Sequence, residues 1–247
     1  MKAFKTMFLT ELKLNIRDMN DLLFGVGFAV VLTLILGIVV GNKPAFAGAD
    51  YSFMEQSFGA LTSIGIAATG MMGLPIAVAD YRHNKILKQL RVTPVSPALL
   101  LFVQFVVNFC MAILSLFMVY ATSALLFGYR MPGSVFRFML AYLLVLLSIY
   151  SIGMLIASVS PNMQTVNLLC CVVYFPMLLL SGATLPYEVM PALMQKASDF
   201  LPLTQGIKLL KGTSLGIPLD NIMLPVMVMI VLSVICIWLS VRFFRWE

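Results

Sequence analysis

Apolar residues in this chain gather into long runs separated by short polar stretches, and the runs set its organisation. A helix needs about 20 apolar residues to cross the hydrocarbon core of a bilayer. Six runs approach that length: Leu22–Val40, Ser57–Ala79, Leu99–Phe127, Val135–Val159, Gln164–Ser181 and Ile222–Phe244. The pattern predicts an all-α polytopic membrane protein with six transmembrane helices. The fifth is short, and Ser160-Pro161-Asn162 makes a tight turn between the fourth and the fifth.

Two stretches outside the runs carry patterns of their own. At the helical period, Lys2, Thr6, Thr10, Lys13 and Arg17 fall on one stripe, and Phe4, Phe8, Leu12, Ile16 and Met19 on the other side. Lys5 and Glu11 break the alternation. Residues 1–21 are therefore expected to form an amphipathic helix lying flat at the membrane surface, with a plain helical extension of the first span as the alternative. The second stretch, 182–221, holds Gly182, Pro186, Glu188, Pro191, Pro202 and Pro218 yet stays rich in Leu, Met, Phe and Val. Proline interrupts helices, so two short helices are expected, Tyr187–Phe200 and Leu203–Lys211. Their apolar content predicts a re-entrant helical hairpin before the sixth span, because a surface loop would leave those side chains in water.

Composition sharpens the picture. The chain is 61% hydrophobic and 11% charged, with mean hydropathy +1.01. Soluble domains run about 45–50% apolar and 25% charged. The whole chain, 1–247, is expected to be one transmembrane domain, since no linker or low-complexity stretch divides it. Residues 2–20 are too polar for the apolar core of a cleavable signal peptide. Cys110, Cys170, Cys171 and Cys236 all sit inside apolar runs, where cysteine packs as a small apolar residue.

The formal net charge of +6 comes from basic residues that flank the runs. That placement fits the positive-inside bias and not nucleic-acid binding. With a cytoplasmic N-terminus, ten Lys and Arg fall inside and six outside. Both termini are therefore expected in the cytoplasm of a multi-pass protein of the cell membrane.

Several chemistries are excluded. No run carries Asp, Glu or Lys at its middle, which argues against an ion-coupled transporter, whose ion needs a ligand in the membrane. His83 is the one histidine, so no His-Glu-x-x-His zinc site is possible. The chain has no Gly-x-x-x-x-Gly-Lys-Ser/Thr phosphate loop. No cofactor is expected on this chain, and work against a gradient would need another polypeptide.

Between the second and third runs lies a charged island, Asp80-Tyr81-Arg82-His83-Asn84-Lys85-Ile86-Leu87-Lys88-Gln89-Leu90-Arg91, closed by Thr93-Pro94-Val95-Ser96-Pro97. Asp80 is expected to cap a helix from Tyr81 to about Arg91. Ile86, Leu87 and Leu90 would form an apolar patch, with Arg82, Lys85 and Lys88 on a basic face. Thr93-Pro94 would end the helix, and Ser96-Pro97 would start the third span. The proline clamp would pass a push on 80–97 to that span. A loop that merely fixes topology is the alternative.

Tyr81-Arg82-x-Asn84-Lys85-Ile86-Leu87-Lys88-x-Leu90-Arg91-x-Thr93-Pro94-x-Ser96-Pro97 resembles the cytoplasmic motif of type-2 ATP-binding-cassette (ABC) permeases, in particular their drug- and antibiotic-exporter branch. Leu180-Ser181-Gly182-Ala183-Thr184-Leu185-Pro186-Tyr187-Glu188-Val189-Met190-Pro191, followed by Leu201-Pro202-Leu203-Thr204, is similar to the family's outer hairpin. The resemblance implies two permease halves, identical or homologous, each docked on a cytoplasmic ATPase that uses ATP and Mg. It implies that the Asp80–Arg91 loop is the coupling helix seated on that ATPase. Asn84 and Lys85 stand where the commonest pattern has Gly-Thr, and Lys88 where it has Glu.

Polar residues within runs usually face protein or a cavity. Gln104, Asn108, Gln164 and Asn167 are the candidates for lining a translocation path, with helix–helix hydrogen bonding as the alternative. Gly65, Gly70, Gly73 and Pro75 predict close packing or a bend in the second span. Eighteen Met and eighteen Phe suit an adaptable apolar surface for amphipathic substrates such as drugs, antibiotics, peptides or lipids. The reading that follows is an exporter permease subunit in contact with membrane lipids. A gradient-driven secondary transporter and a non-transporting immunity or sensor module are the alternatives.

Overall fold

The computed structural model describes residues 2–17, 22–40, 43–44, 51–85, 97–184, 187, 190–216 and 223–243. Among these the chain is helical, and the only strand-like feature is an isolated bridge between Pro44 and Ser52. The helices are α1 (Lys2–Arg17), α2 (Phe28–Val39), α3 (Phe53–Ala68), α4 (Leu74–His83), α5 (Pro97–Phe127) and α6 (Val135–Val159). They continue with α7 (Met163–Leu180), α8 (Ala192–Asp199), α9 (Pro202–Leu215) and α10 (Met223–Phe243). Two π-helical turns complete them, π1 (Leu23–Gly27) leading into α2 and π2 (Thr69–Gly73) joining α3 to α4.

Among the described residues, five helical stretches are long and apolar enough to span a membrane: Phe53–His83, Leu99–Phe127, Val135–Val159, Met163–Leu180 and Met223–Phe243. The first expected span appears as a shorter apolar helix, Gly25–Val39. Apolar composition alone had suggested a longer span there.

Local sequence accounts for the boundaries. Ser52 accepts from the Glu55 backbone N–H, and the Glu55 carboxylate accepts from the Ser52 N–H at 2.7 Å. This capping box starts α3 at Phe53, four residues before the apolar run begins. Pro75 has no N–H to offer the carbonyl four residues back. The chain widens just before it, and Leu74 N–H bonds Thr69 O in π2. Gly182 (φ 89°) follows α7 and Gly216 (φ 73°) ends α9, both in the left-handed region that favours glycine. Pro191 precedes α8 and Pro202 opens α9, so the first hairpin helix begins after Pro191 and not at Tyr187. The second runs past Lys211 to Leu215.

Apolar surface does not drive helices together in lipid, so close approach and hydrogen bonds must. A Cβ on Gly153 of α6 would run into the Gly70 carbonyl of π2. One on Gly59 of α3 would lie 2.6 Å from Lys211 N of α9. Backbone therefore meets backbone at both crossings. The core joins α3, α6 and α9 through fully buried Phe58, Leu61, Tyr142, Tyr150, Leu203 and Leu210. On one side Phe58 stacks on Tyr129 at 4.5 Å and packs against Phe138 at 5.5 Å. α10 rests on α6 and α9 and leaves Leu224, Met227, Val234, Trp238 and Val241 exposed.

Candidate functional site

The charged island opens on the last turn of α4, and here the structure corrects the sequence reading. Asp80 does not cap a new helix. α4 runs on through His83, Asn84 caps its C-terminus, and Lys85 takes φ 56°. Asp80 Oδ1 accepts from Asn84 Nδ2 at 3.0 Å. Apolar-run arithmetic ended the second span at Ala79 because it counts charge as an exit from the membrane, whereas the backbone continues its helix. Ile86, Leu87, Lys88, Leu90, Arg91, Thr93 and Pro94 lie outside the described residues.

That last turn is held by three other helices. Arg82 donates from Nη2 to the Ala157 carbonyl of α6 at 2.5 Å. A cation is favourable at a helix C-terminus, where the last carbonyls carry partial negative charge. Tyr81 is buried, and its hydroxyl accepts from Gln104 Nε2 of α5. Gln104 Nε2 also donates to Glu11 Oε2 of α1 at 2.8 Å. Glu11, which broke the amphipathic pattern, thus faces inward. The packed face of α1 includes Phe4, Met7, Phe8, Glu11, Leu12 and Asn15, while Ile16 is exposed. Phe4 stacks on Phe8 and lies 6.0 Å from Phe102 of α5.

Gln104 and Asn108, at 4% and 2% exposure, are packed between helices of one chain. Asn108 Nδ2 donates to the Gln104 carbonyl at 3.0 Å. The Tyr150 hydroxyl of α6 lies 2.8 Å from both the Asn108 carbonyl, to which it donates, and the Thr69 hydroxyl of π2. These bonds belong to the helix-packing alternative. Gln164 and Asn167 lie apart from them, exposed on the first turns of α7.

Two cavities adjoin this network. One of about 590 Å³ lies between α1, α4, α5 and α7 and is lined by Glu11, Arg17, Asp80, Tyr81 and Gln104 among others. A smaller one of about 40 Å³ shares Asn15 and Gly73 with it and reaches Thr69 and Asn108. No group of three or more His, Cys, Asp or Glu side chains that could hold a metal occurs among the described residues.

The hairpin of α8 and α9 is a second site. Asp199 Oδ1 accepts from Lys208 Nζ at 2.6 Å and from the Tyr187 hydroxyl at 3.0 Å. Lys208 also sits over the Tyr187 ring, 4.8 Å from its centre. The Lys208 hydrogen bond holds the Asp199 carboxyl below the usual carboxylate range, against the opposing effect of burial and with a further contribution from the Tyr187 hydrogen bond. Gln205 Nε2 donates to the Asp199 carbonyl, and Gln195 Nε2 to those of Tyr187 and Met190. Ser198 bonds the Leu180 carbonyl at the end of α7. Gly182, Pro191 and Pro202 form the corners of this unit, while Pro186 and Glu188 lie outside the described residues. Beside it, burial raises the Tyr129 hydroxyl above its usual range, and the nearby Glu55 charge adds to the effect.

Sequence reasoning missed Glu11, Tyr150 and Thr69. Glu11 left a signal, as the acid that did not fit its helix. Tyr150 and Thr69 left none, since either passes unnoticed inside an apolar run.

Several membrane-length helices, a basic turn locked to three neighbours and a stitched helical pair before α10 are the architecture of a polytopic membrane protein. The chain belongs to the ABC-2 type transporter family, whose model matches residues 2–215. Among curated relatives it is similar to nodulation protein J of Rhizobium leguminosarum bv. viciae, 34% identical over 97 residues, which is 39% of this chain and 35% of that protein. It is also similar to nodulation protein J of Rhizobium leguminosarum bv. trifolii, 31% identical over 98 residues, 40% of this chain and 35% of the relative. The Neorhizobium galegae protein of that name is 30% identical over 98 residues, with the same coverage. The matched stretch thus spans about a third of the length of these relatives. Their names speak of nodulation and lend no support to the drug- and antibiotic-resistance expectation.

Proposed function

We propose that this chain is the permease subunit of an ABC exporter, driven by ATP and Mg in a separate cytoplasmic ATPase. The observation that carries the reading is the anchored end of α4. The turn on which the island opens is bonded to α1 and α5 through Tyr81 and Gln104, and to α6 through Arg82. A displacement of the island would move those helices together, because packed interiors transmit strain and do not absorb it. Family membership supplies the partner class that would impose the displacement.

The finer reading follows the charge count. α1 lies at the inner surface, both termini face the cytoplasm, and the spans are the five long helices with Gly25–Val39 as the sixth. α8 and α9 dip into the outer leaflet. Leu193 of α8 and Phe200, which follows its last residue, are 82% and 89% exposed, which suits lipid better than water. Two permease copies or homologues pair, and an amphipathic substrate passes through or beside the interface, with Gln164 and Asn167 on the exposed face of α7 as candidate lining residues.

Reconstitution tests it. With the partner ATPase in vesicles, a fluorescent amphiphile is expected to move only when ATP and Mg are present. Movement driven by a proton or sodium gradient without ATP would point to a secondary transporter. ATP hydrolysis without any movement would point to a sensor or immunity module.

A further inference from the structure

The 590 Å³ groove between α1, α4, α5 and α7 has a chemistry that the permease reading does not use. Two carboxylates, Glu11 and Asp80, line it. Gln104 lines it too, at 4% exposure, and its side-chain carbonyl oxygen has no hydrogen-bond partner among the described residues. The amide nitrogen is committed to Glu11 and Tyr81, which fixes the oxygen as the free end. A buried acceptor without a donor is costly to leave so. Leu14, Ile76, Ala77 and Met163 supply an apolar wall, Asn15 and Tyr81 add polar groups to the lining, and Arg17, also lining it, is exposed.

Acceptors at the wall, carboxylates beside them and an apolar lining define the complementary ligand. It needs several N–H donors, a positive charge and a hydrocarbon stem. An anion would meet both carboxylates. A hard metal ion takes six or more oxygen ligands, and the described residues offer no group of three or more acidic, His or Cys side chains. An ammonium carries three N–H donors on one centre and matches the set.

We infer that this groove binds the ammonium head of an amphiphile, held by Glu11, Asp80 and the Gln104 carbonyl oxygen. Two sources share that chemistry. One is an ethanolamine phospholipid, whose phosphate would meet Arg17. The other is a single-chain amine entering from the inner leaflet. The inference rests on α1 lying at the inner membrane surface, as proposed above.

Thermal unfolding of the full chain in mild detergent tests it. Phosphatidylethanolamine is expected to raise Tm by about 5 °C at saturation. Phosphatidylcholine, whose quaternary nitrogen has no N–H, and phosphatidylglycerol, which has no ammonium, are expected to leave it unchanged. A dodecylamine arm separates the sources: equal stabilisation assigns the site to amphiphilic amines at large, and none assigns it to the phospholipid. Glu11→Gln with Asp80→Asn is expected to remove the increment. The lipid series on the unaltered chain decides even where that variant folds poorly. Equal shifts from phosphatidylcholine or phosphatidylglycerol, or an increment kept by the double variant, would overturn the inference. No ATPase enters this measurement, so its failure leaves the permease reading standing, and a failed transport assay leaves the lipid series standing.

Discussion

Gln104 shows how a single residue can be legible in kind and not in role. Its polarity inside an apolar run marked it for attention, because such groups must face protein or a cavity. Only the fold reveals that it joins Glu11 of α1 to Tyr81 of α4. Removing one partner of a buried bond leaves the other desolvated and unpaired, whereas removing both costs less. Gln104→Leu is therefore expected to lower stability by about 1–3 kcal/mol, and Glu11→Leu on top of it to restore part of the loss. Thermal unfolding of the two variants in detergent checks the sign of that coupling. Gly153 makes a second case. A methyl there would collide with the Gly70 carbonyl, and such overpacking costs about 1–3 kcal/mol. Gly153→Ala is expected to melt earlier than the parent. Gly27→Ala, whose Cβ would meet nothing nearer than 3.6 Å, is expected not to.

Elements were read well where hydrophobic runs were long and poorly where chemistry, not hydropathy, sets the end. α5, α6 and α7 fall close to their expected bounds. α3 begins earlier because Ser52 and Glu55 cap it, a signal present in the sequence as Ser-x-x-Glu. α4 ends later because Asp80, Tyr81 and Arg82 stay helical while bonding to neighbours. The paired helices α8 and α9 were visible in the spacing of prolines, though Pro191 shortens the first. Their tie is electrostatic, so it should respond to acid. Asp199 is held below its ordinary pKa by Lys208. A carboxylate with a lowered folded pKa adds stability above its unfolded value, about 4, and loses it as pH falls through the folded value. The difference in Tm between the parent and Asp199→Asn is expected to be present near neutrality and to vanish below the ordinary carboxylate range. Both groups are partly exposed, at 39% and 44%, so the difference should be small and shrink in high salt.

At the level of the whole molecule, the class was legible from composition and the island, because few soluble folds tolerate so much apolar sequence. Shape was not. Nothing in a hydropathy profile tells which runs touch, and backbone contacts such as Gly59 with Lys211 depend on helices far apart in sequence. The charge count predicts the sidedness of the bundle, and thiol labelling tests it. The four native cysteines lie in helices α5, α7 and α10. Cysteine placed at Lys13 or His83 is expected to react with an impermeant reagent only in inside-out vesicles. One placed at Lys196 is expected to react only in right-side-out ones. The reverse pattern would invert the topology and move the island away from any cytoplasmic ATPase.

The central claim is that the island couples this permease to such an ATPase through its apolar residues. Its most direct measurement is ATP hydrolysis by complexes purified on the permease after co-expression with the partner ATPase. The parent chain is expected to bring the ATPase and its activity with it. Leu87→Asp and Leu90→Asp are expected to lose both while inserting into the membrane at normal levels. Undiminished ATPase recovery and hydrolysis with both variants would contradict the account.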